Sequence, residues 1–229
     1  MKYFSILFLG IFLVLVSSFL GLIIASQNQI GSLKQSTESL ELNDAGQLVN
    51  IEGDTLYPIE HSGIAKQGFQ EYVSLGCAQC HTQQIRREEI SNDIERGLST
   101  RFTVPRDYIM QDKTLIGSIR LGPDLIDIAS RKKSKDWHYL HLYNPQITSP
   151  GSIMPSFPFL FEYIDLDNID RTENALKFPE GSAYVPKDGI AIIPTRRAEA
   201  LVEYLLNLSI DYDLPETIII KNETGKSKH

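Results

Sequence analysis

The chain has 229 residues, 42% of them hydrophobic and 22% charged, enough for one compact domain with a real core plus additional segments. Its formal net charge is -7 and its lysines and arginines form no run. That excludes the phosphate-neutralising surface of a nucleic-acid binder, and the composition excludes a low-complexity chain.

Taken in order, Tyr3 to Ala25 is an uncharged apolar run of about 23 residues, long enough to cross a hydrocarbon core of about 30 Å. Residues 1–25 are therefore expected to be a single-span anchor. A cleaved signal peptide is the alternative, but its apolar core would be shorter, about 7 to 15 residues, and followed by an A-x-A-like site. Met1 and Lys2 precede the run, a positive-inside signal that puts the remainder outside the cytoplasm. The later Ile218 to Ile220 run is too short for a second span. Residues 26–56 are polar and aperiodic, read as a linker; 57–212 are expected to form the folded domain and 213–229 a loose tail.

From Ser62 the pattern becomes helical, with Ile64, Gly68, Phe69, Tyr72, Val73 and Leu75 on one face, Ser62 as cap and Gly76 as stop. A matching stripe of Ala198, Leu201, Val202, Leu205 and Leu208 follows Thr195, with Tyr204 beside it. The two helices are expected to cross, Gly68 permitting close approach and Tyr72 meeting Tyr204.

The first of these helices runs into Gly76-Cys77-Ala78-Gln79-Cys80-His81, which holds the only two cysteines in the chain. In this C-x-x-C-H spacing two thiols add to the vinyl groups of a haem and the adjacent imidazole binds the iron. A C-x-x-C redox pair would sit beside a strand in a βαβ unit, which the pattern lacks. A zinc site would need more ligands than His61, His138, His141 and His229 supply at suitable spacing. A disulfide here would close too short a loop to remove much chain entropy.

Further along, the Arg120 to Leu125 stretch offers a Gly122-Pro123 turn whose proline carbonyl can accept the Nδ1 proton of His81. Ser134 to Tyr143 reads as a short helix carrying Trp137, His138 and His141. Trp137 can donate its indole N–H to a haem propionate or pack as a core residue, and the two histidines invite comparison with a second metal site, for which no third ligand is placed. Met154 lies among prolines and aromatics, and its thioether suits the distal side of an iron better than that of Met110, which falls in a charged loop. Two long stretches, Thr82 to Ile119 and Leu160 to Pro194, exceed what wrapping one haem needs; their aromatic and apolar residues, Phe102, Tyr108, Ile109, Tyr163, Phe178 and Tyr184, are expected to form docking surfaces.

Together, the anchor, GCAQCHTQQIR, LGPDL, DWHYLHLYNP and GSIMPSFPFL, in that order, resemble subunit II of cbb3-type cytochrome c oxidases, the FixO or CcoO family. The resemblance spans roughly Tyr57 to Leu208 with the anchor, and departs at Arg87, where many members have proline. It implies a mainly α protein: one N-terminal transmembrane helix followed by a class I-like cytochrome c domain with long inserted loops. It further implies one haem c attached to Cys77 and Cys80, His81 and Met154 as axial ligands, and Gly122, Pro123, Leu125 and Trp137 in the pocket. The His138/His141 pair recurs in the resemblance, which favours packing or interface over metal. The implied place is the outer, periplasmic side of a bacterial cytoplasmic membrane. The implied partners are a catalytic haem-copper subunit holding haem b, and a further cytochrome c subunit or soluble donor cytochrome. The expected work is one-electron relay without bond-making on a substrate. Alternatives are the cytochrome subunit of a nitric oxide reductase, a free membrane-tethered shuttle, and a haem-based gas sensor.

Overall fold

The computed structural model describes residues 2–117, 119–165 and 174–217. The Ile218 to Ile220 run, most of the expected tail, and 166–173 within the second long stretch lie outside the described residues. The chain divides into two compact units, Met1–Gln35 and Ser36–His229.

The first unit is one helix, α1 (Tyr3–Ile30), apolar enough and long enough to cross a membrane, with mean hydropathy 2.8. Its Leu20–Ile24 stretch takes π-helical geometry. The helix runs on past the apolar stretch, through the mostly polar Ala25–Ile30, and stops at Gly31, whose φ of 70° no longer fits a helix.

The second unit begins where a linker was expected. Strands β1 (Leu40–Leu42) and β2 (Leu48–Asn50) form an antiparallel hairpin with Leu42 opposite Leu48. Ser36 and Tyr57 exchange backbone hydrogen bonds of 2.9 and 2.8 Å, closing the base of this segment. Thr37 is fully buried; its N–H donates to Asn50 Oδ1 and its Oγ1 accepts from Ile51 N–H, both at 3.2 Å. The Tyr57 ring stacks on Tyr212 at 4.4 Å. Residues 36–56 are thus ordered by side-chain-to-backbone bonds, which leave no periodicity in a polar sequence.

Helix α2 (Gly63–Ser74) buries Ala65, Gly68 and Tyr72. Ser62 stands at its N-cap, as expected, but its side chain makes no capping bond. Short helices α3 (Ile128–Arg131), α4 (Lys135–Tyr143) and α5 (Pro145–Thr148) follow the first long stretch. Ser134 caps α4 by accepting from Trp137 N–H, and Asn144 both ends α4 and caps α5 ahead of Pro145. Strands β3 (Phe161–Asp165) and β4 (Ile190–Pro194) pair antiparallel, Phe161 opposite Pro194 and Asp165 opposite Ile190. Thr195, directly after β4, caps α6 (Arg196–Leu206) by accepting from Ala198 N–H. The architecture is mainly α, and among the described residues the strands are confined to two small ribbons.

The main core forms where α2 crosses α6. Tyr72, Leu201, Val202, Tyr204, Leu205 and Leu208 are buried there with Ile128, Leu142, Leu160 and Ile192 from the intervening segments. The Tyr72 and Tyr204 rings meet edge-on at 5.3 Å. A second, smaller core joins Ile85, Leu98, Ile126 and Ile210, with Phe102, Tyr108 and Tyr212 packed against it. This corrects the docking-surface expectation for the first long stretch: Phe102 and Tyr108 point inward. The stretch is further tied to the segment after α6 by Arg101, buried with Asp107 in a two-point pair at 2.8 and 2.9 Å and donating to the Tyr212 carbonyl at 2.9 Å. In the second stretch Phe178 joins the core, while Tyr163 and Tyr184 are exposed.

Gly68 lies so close to α6 that an added Cβ would come within 1.8 Å of the Ala200 carbonyl oxygen and 2.7 Å of Tyr204 Cβ. In an isolated helix Gly→Ala gains about 1 kcal/mol. Here the clash is with backbone, and overpacking of this kind costs about 3 kcal/mol. Gly68→Ala should therefore destabilise the protein by about 2 kcal/mol, a fall in Tm of roughly 4 to 8 °C in thermal denaturation. An unchanged Tm would show that the helices can part without loss.

Candidate haem site

The site begins where α2 stops. Gly76, at φ 74°, turns the chain out of the helix, and Cys77–Gln79 follow as a single 3-10 turn. The His81 N–H donates to the Cys77 carbonyl at 2.9 Å and Cys80 N–H to the same oxygen at 3.1 Å. Both cysteines are free and half-buried, wound with His81 around one turn. Burial pushes the Cys77 thiol up to about 11. A redox-active pair relies on a thiol shifted the other way, so burial at Cys77 does not favour thiol–disulfide exchange.

Across from this turn runs the Gly122 to Leu125 segment, strapped on by Gly122 N–H to the Cys80 carbonyl at 3.0 Å and Leu125 N–H to the Thr82 carbonyl at 2.9 Å. The strap brings the Pro123 carbonyl to 2.8 Å from His81 Nδ1. A carbonyl can only accept, so Nδ1 carries the proton and Nε2 keeps a lone pair. Burial lowers the basicity of His81, with the Pro123 carbonyl and Asp124 pulling the opposite way, and the net shift is downward. The ring is neutral at pH 7, the form a metal binds. A Cβ on Gly122 would fall 2.2 Å from His81 Cε1, so this glycine is the floor on which the imidazole lies.

Behind the strap lies a polar network that sequence reasoning missed. Asp124, fully buried, accepts from Thr82 Oγ1 at 2.5 Å, Gln84 N–H at 2.7 Å and Ile126 N–H at 2.9 Å. Arg120 donates to Asp93 at 2.5 Å and Thr82 Oγ1 at 2.7 Å, and lies 3.4 Å from Asp124. Gln83 Nε2 donates to Tyr204 Oη at 2.9 Å, joining the residue two beyond His81 to α6. Only the charge pattern of Arg120 and Asp124, four apart, was visible beforehand.

Cys77, Ala78, Leu125, Met154 and Phe157 pack as partly exposed residues against one core. Met110 does not join them; it follows the Pro105–Tyr108 turn. Leu121 and Ile153, the neighbours of the strap and of Met154, are 60% and 80% exposed. On α4 Trp137 stacks against His141 at 4.7 Å, with the Lys132 ammonium 4.9 Å above its ring. His138 Nε2 lies 2.8 Å from the Lys132 carbonyl and His141 Nδ1 2.5 Å from Thr148 Oγ1. Burial, followed by the nearby His138 and His81, lowers His141 to about 4. Both rings are held by protein groups, and among the described residues no three His, Cys, Asp or Glu side chains gather as a metal site.

Residues 50–205 match the family described as cytochrome c oxidase, mono-haem subunit/FixO. The chain belongs to this FixO family. The match covers about two thirds of the 229 residues and includes both cysteines, His81, the Gly122 strap, α4 and Met154. No curated protein matches the chain. A FixO subunit carries one haem, and the residues present fit that group: two thiols beside a neutral imidazole with a free Nε2, a glycine floor that a Cβ would obstruct, and a half-exposed apolar wall.

Gly122→Ala should push the His81 ring off its floor and away from the Pro123 carbonyl. Losing such a supporting contact costs roughly tenfold or more in metal-site occupancy. The expected result is a comparable fall in the haem-to-protein ratio with an unchanged far-ultraviolet circular dichroism spectrum. Full haem content in Gly122→Ala would show that the ring does not need this floor.

Proposed function

We propose that this chain is the electron-relay subunit of a cbb3-type terminal oxidase, taking single electrons from a donor cytochrome and handing them to haem b of the catalytic subunit for oxygen reduction. The observation that carries the reading is the His81 imidazole lying on Gly122 with Nδ1 bound to the Pro123 carbonyl at 2.8 Å, one turn from two free cysteines. In this reading Cys77 and Cys80 form the thioethers, and His81 Nε2 and the Met154 thioether are the axial ligands. The haem would supply the Fe(III)/Fe(II) couple.

The chain's own residues then do the binding and tuning. The Pro123 carbonyl holds the His81 tautomer and raises its donor strength. In this reading Leu125 and Phe157 keep water from the ligands, and Trp137, stacked on His141, would border the haem edge. Packing of Met154 against the core that bears Cys77 and Leu125 favours it over Met110. The anchor α1 would hold the second unit on the outer face of a bacterial cytoplasmic membrane, beside its catalytic partner. No general base or nucleophile is called for, because no substrate bond is made.

Optical spectra of the membrane-extracted protein test this. The expected result is a covalent c-type haem that survives denaturation, with a near-infrared methionine-to-iron band lost in Met154→Ala and kept in Met110→Ala. Purification under mild detergent should bring a many-span subunit with haem b that consumes oxygen. Absence of covalent haem would overturn the reading. A band surviving in Met154→Ala would overturn the ligand assignment, and a complex that reduces nitric oxide but not oxygen would move the subunit to a reductase.

A further inference from the structure

The β1–β2 hairpin presents a sheet face that nothing in this chain covers. Leu42 stands opposite Leu48, so the two side chains share one side of the ribbon, and they are 70% and 65% exposed. Leu56 and Ile59, further along the same segment, are exposed as well. A cross-strand leucine pair left in water marks a face that something else covers.

The charge around that face says what covers it. Ser36 to Glu60 holds six acidic residues and no lysine or arginine, so this short segment carries most of the chain's net charge of -7. Glu60 pairs with Lys66, whereas Glu38, Glu41, Asp44, Glu52 and Asp54 are exposed and have no ion pair among the described residues. Beside the hairpin, Glu38 and Asp211 line a crevice of about 330 Å³ together with Arg101 and Tyr212. The Arg101 guanidinium is already taken by Asp107 and the Tyr212 carbonyl, so it leaves those two carboxylates unmatched. A lipid surface is met by Lys and Arg beside apolar side chains, and here there are none. A second copy meeting this face with its own would bring carboxylate against carboxylate. A diffusing redox partner makes a small, transient contact, while an exposed leucine pair suits the more apolar interface of a lasting one.

We propose that this hairpin face docks a basic protein surface, that of a neighbouring subunit held permanently in the complex. Apolar residues of that subunit cover Leu42 and Leu48, and one of its lysines or arginines enters the crevice between Glu38 and Asp211. The inference rests on the reading of the chain as a subunit of an oxidase complex and names the surface by which it is held.

Carboxylate footprinting tests it, with a carbodiimide and glycine ethyl ester labelling the haem-loaded full chain, alone and within the complex purified in mild detergent. Glu38 and Asp211 should label roughly tenfold more slowly in the complex, because an interface excludes the reagent. Leu42→Ser combined with Leu48→Ser, both exposed positions far in sequence from the haem motif, should restore fast labelling of Glu38 in the complex and leave the haem spectrum unchanged. Equal labelling of Glu38 and Asp211 in the isolated chain and in the complex would overturn this inference and leave the subunit reading standing. Protection that appears only when a soluble donor cytochrome is added would overturn the choice of a permanent neighbour. A chain that purifies with no partner subunit would overturn both readings.

Discussion

The contact on which the rest depends is the approach of α2 to α6 at Gly68. With only a hydrogen at Cα, Gly68 lies against the Ala200 carbonyl, so the two helix backbones almost touch. At that separation Tyr72 and Tyr204 can meet edge-on and the stripe of Leu201, Val202 and Leu205 is sealed. The crossing also fixes where α2 ends. Since Gly76 turns the chain directly after the last helical residues, the direction of the Cys77 to His81 turn is inherited from the helix pair. Local sequence supplies the turn; the crossing supplies its place.

Two couplings carry that rigidity to the imidazole. Gln83 bonds to the Tyr204 hydroxyl, tying the chain just past His81 back to α6. Asp124 binds Thr82 and Gln84 on one side and belongs to the same strap as Pro123 on the other. The His81 ring is therefore held between two backbone segments whose spacing is set by a buried carboxylate. A buried charge of this kind is expensive unless its acceptor sites are filled, and three donors from the protein plus Arg120 fill them. Its return is positional: hydrogen bonds have directions that apolar packing lacks.

Much of this was legible beforehand because it is written in spacing. The helical stripes from Ser62 and Thr195, the close approach at Gly68, the Tyr72 to Tyr204 contact and the short helix from Ser134 to Tyr143 all depend on residues near one another in sequence or on a single period. The Pro123 to His81 hydrogen bond was also legible, since a C-x-x-C-H turn and a Gly-Pro turn together leave few acceptors for Nδ1. What was hidden depends on long-range polar pairing. Thr37, Asn50 and Ile51 order a hairpin that reads as linker because polar side chains replace periodic apolar ones. Arg101 and Asp107 draw a long stretch inward that its aromatics alone suggested as surface. A sequence shows that charges exist, and only folding shows which charge each one meets.

The same distinction bears on how an electron carrier should be built. A group that changes charge by one at each turnover exerts a changing field on its surroundings, and groups free to follow that field would raise the barrier to transfer. Here polar groups around His81 are immobilised: Gly122 and Leu125, on either side of Pro123 and Asp124, are strapped to Cys80 and Thr82, Arg120 is fixed between Asp93 and Thr82, and His141 is held by Thr148. Dipoles fixed in advance give their stabilisation without moving, the same economy by which preorganised sites lower barriers elsewhere. On the proposed reading, the second core and the buried Arg101 to Asp107 pair are then part of the relay, because they keep the first long stretch from yielding when the charge at the site changes.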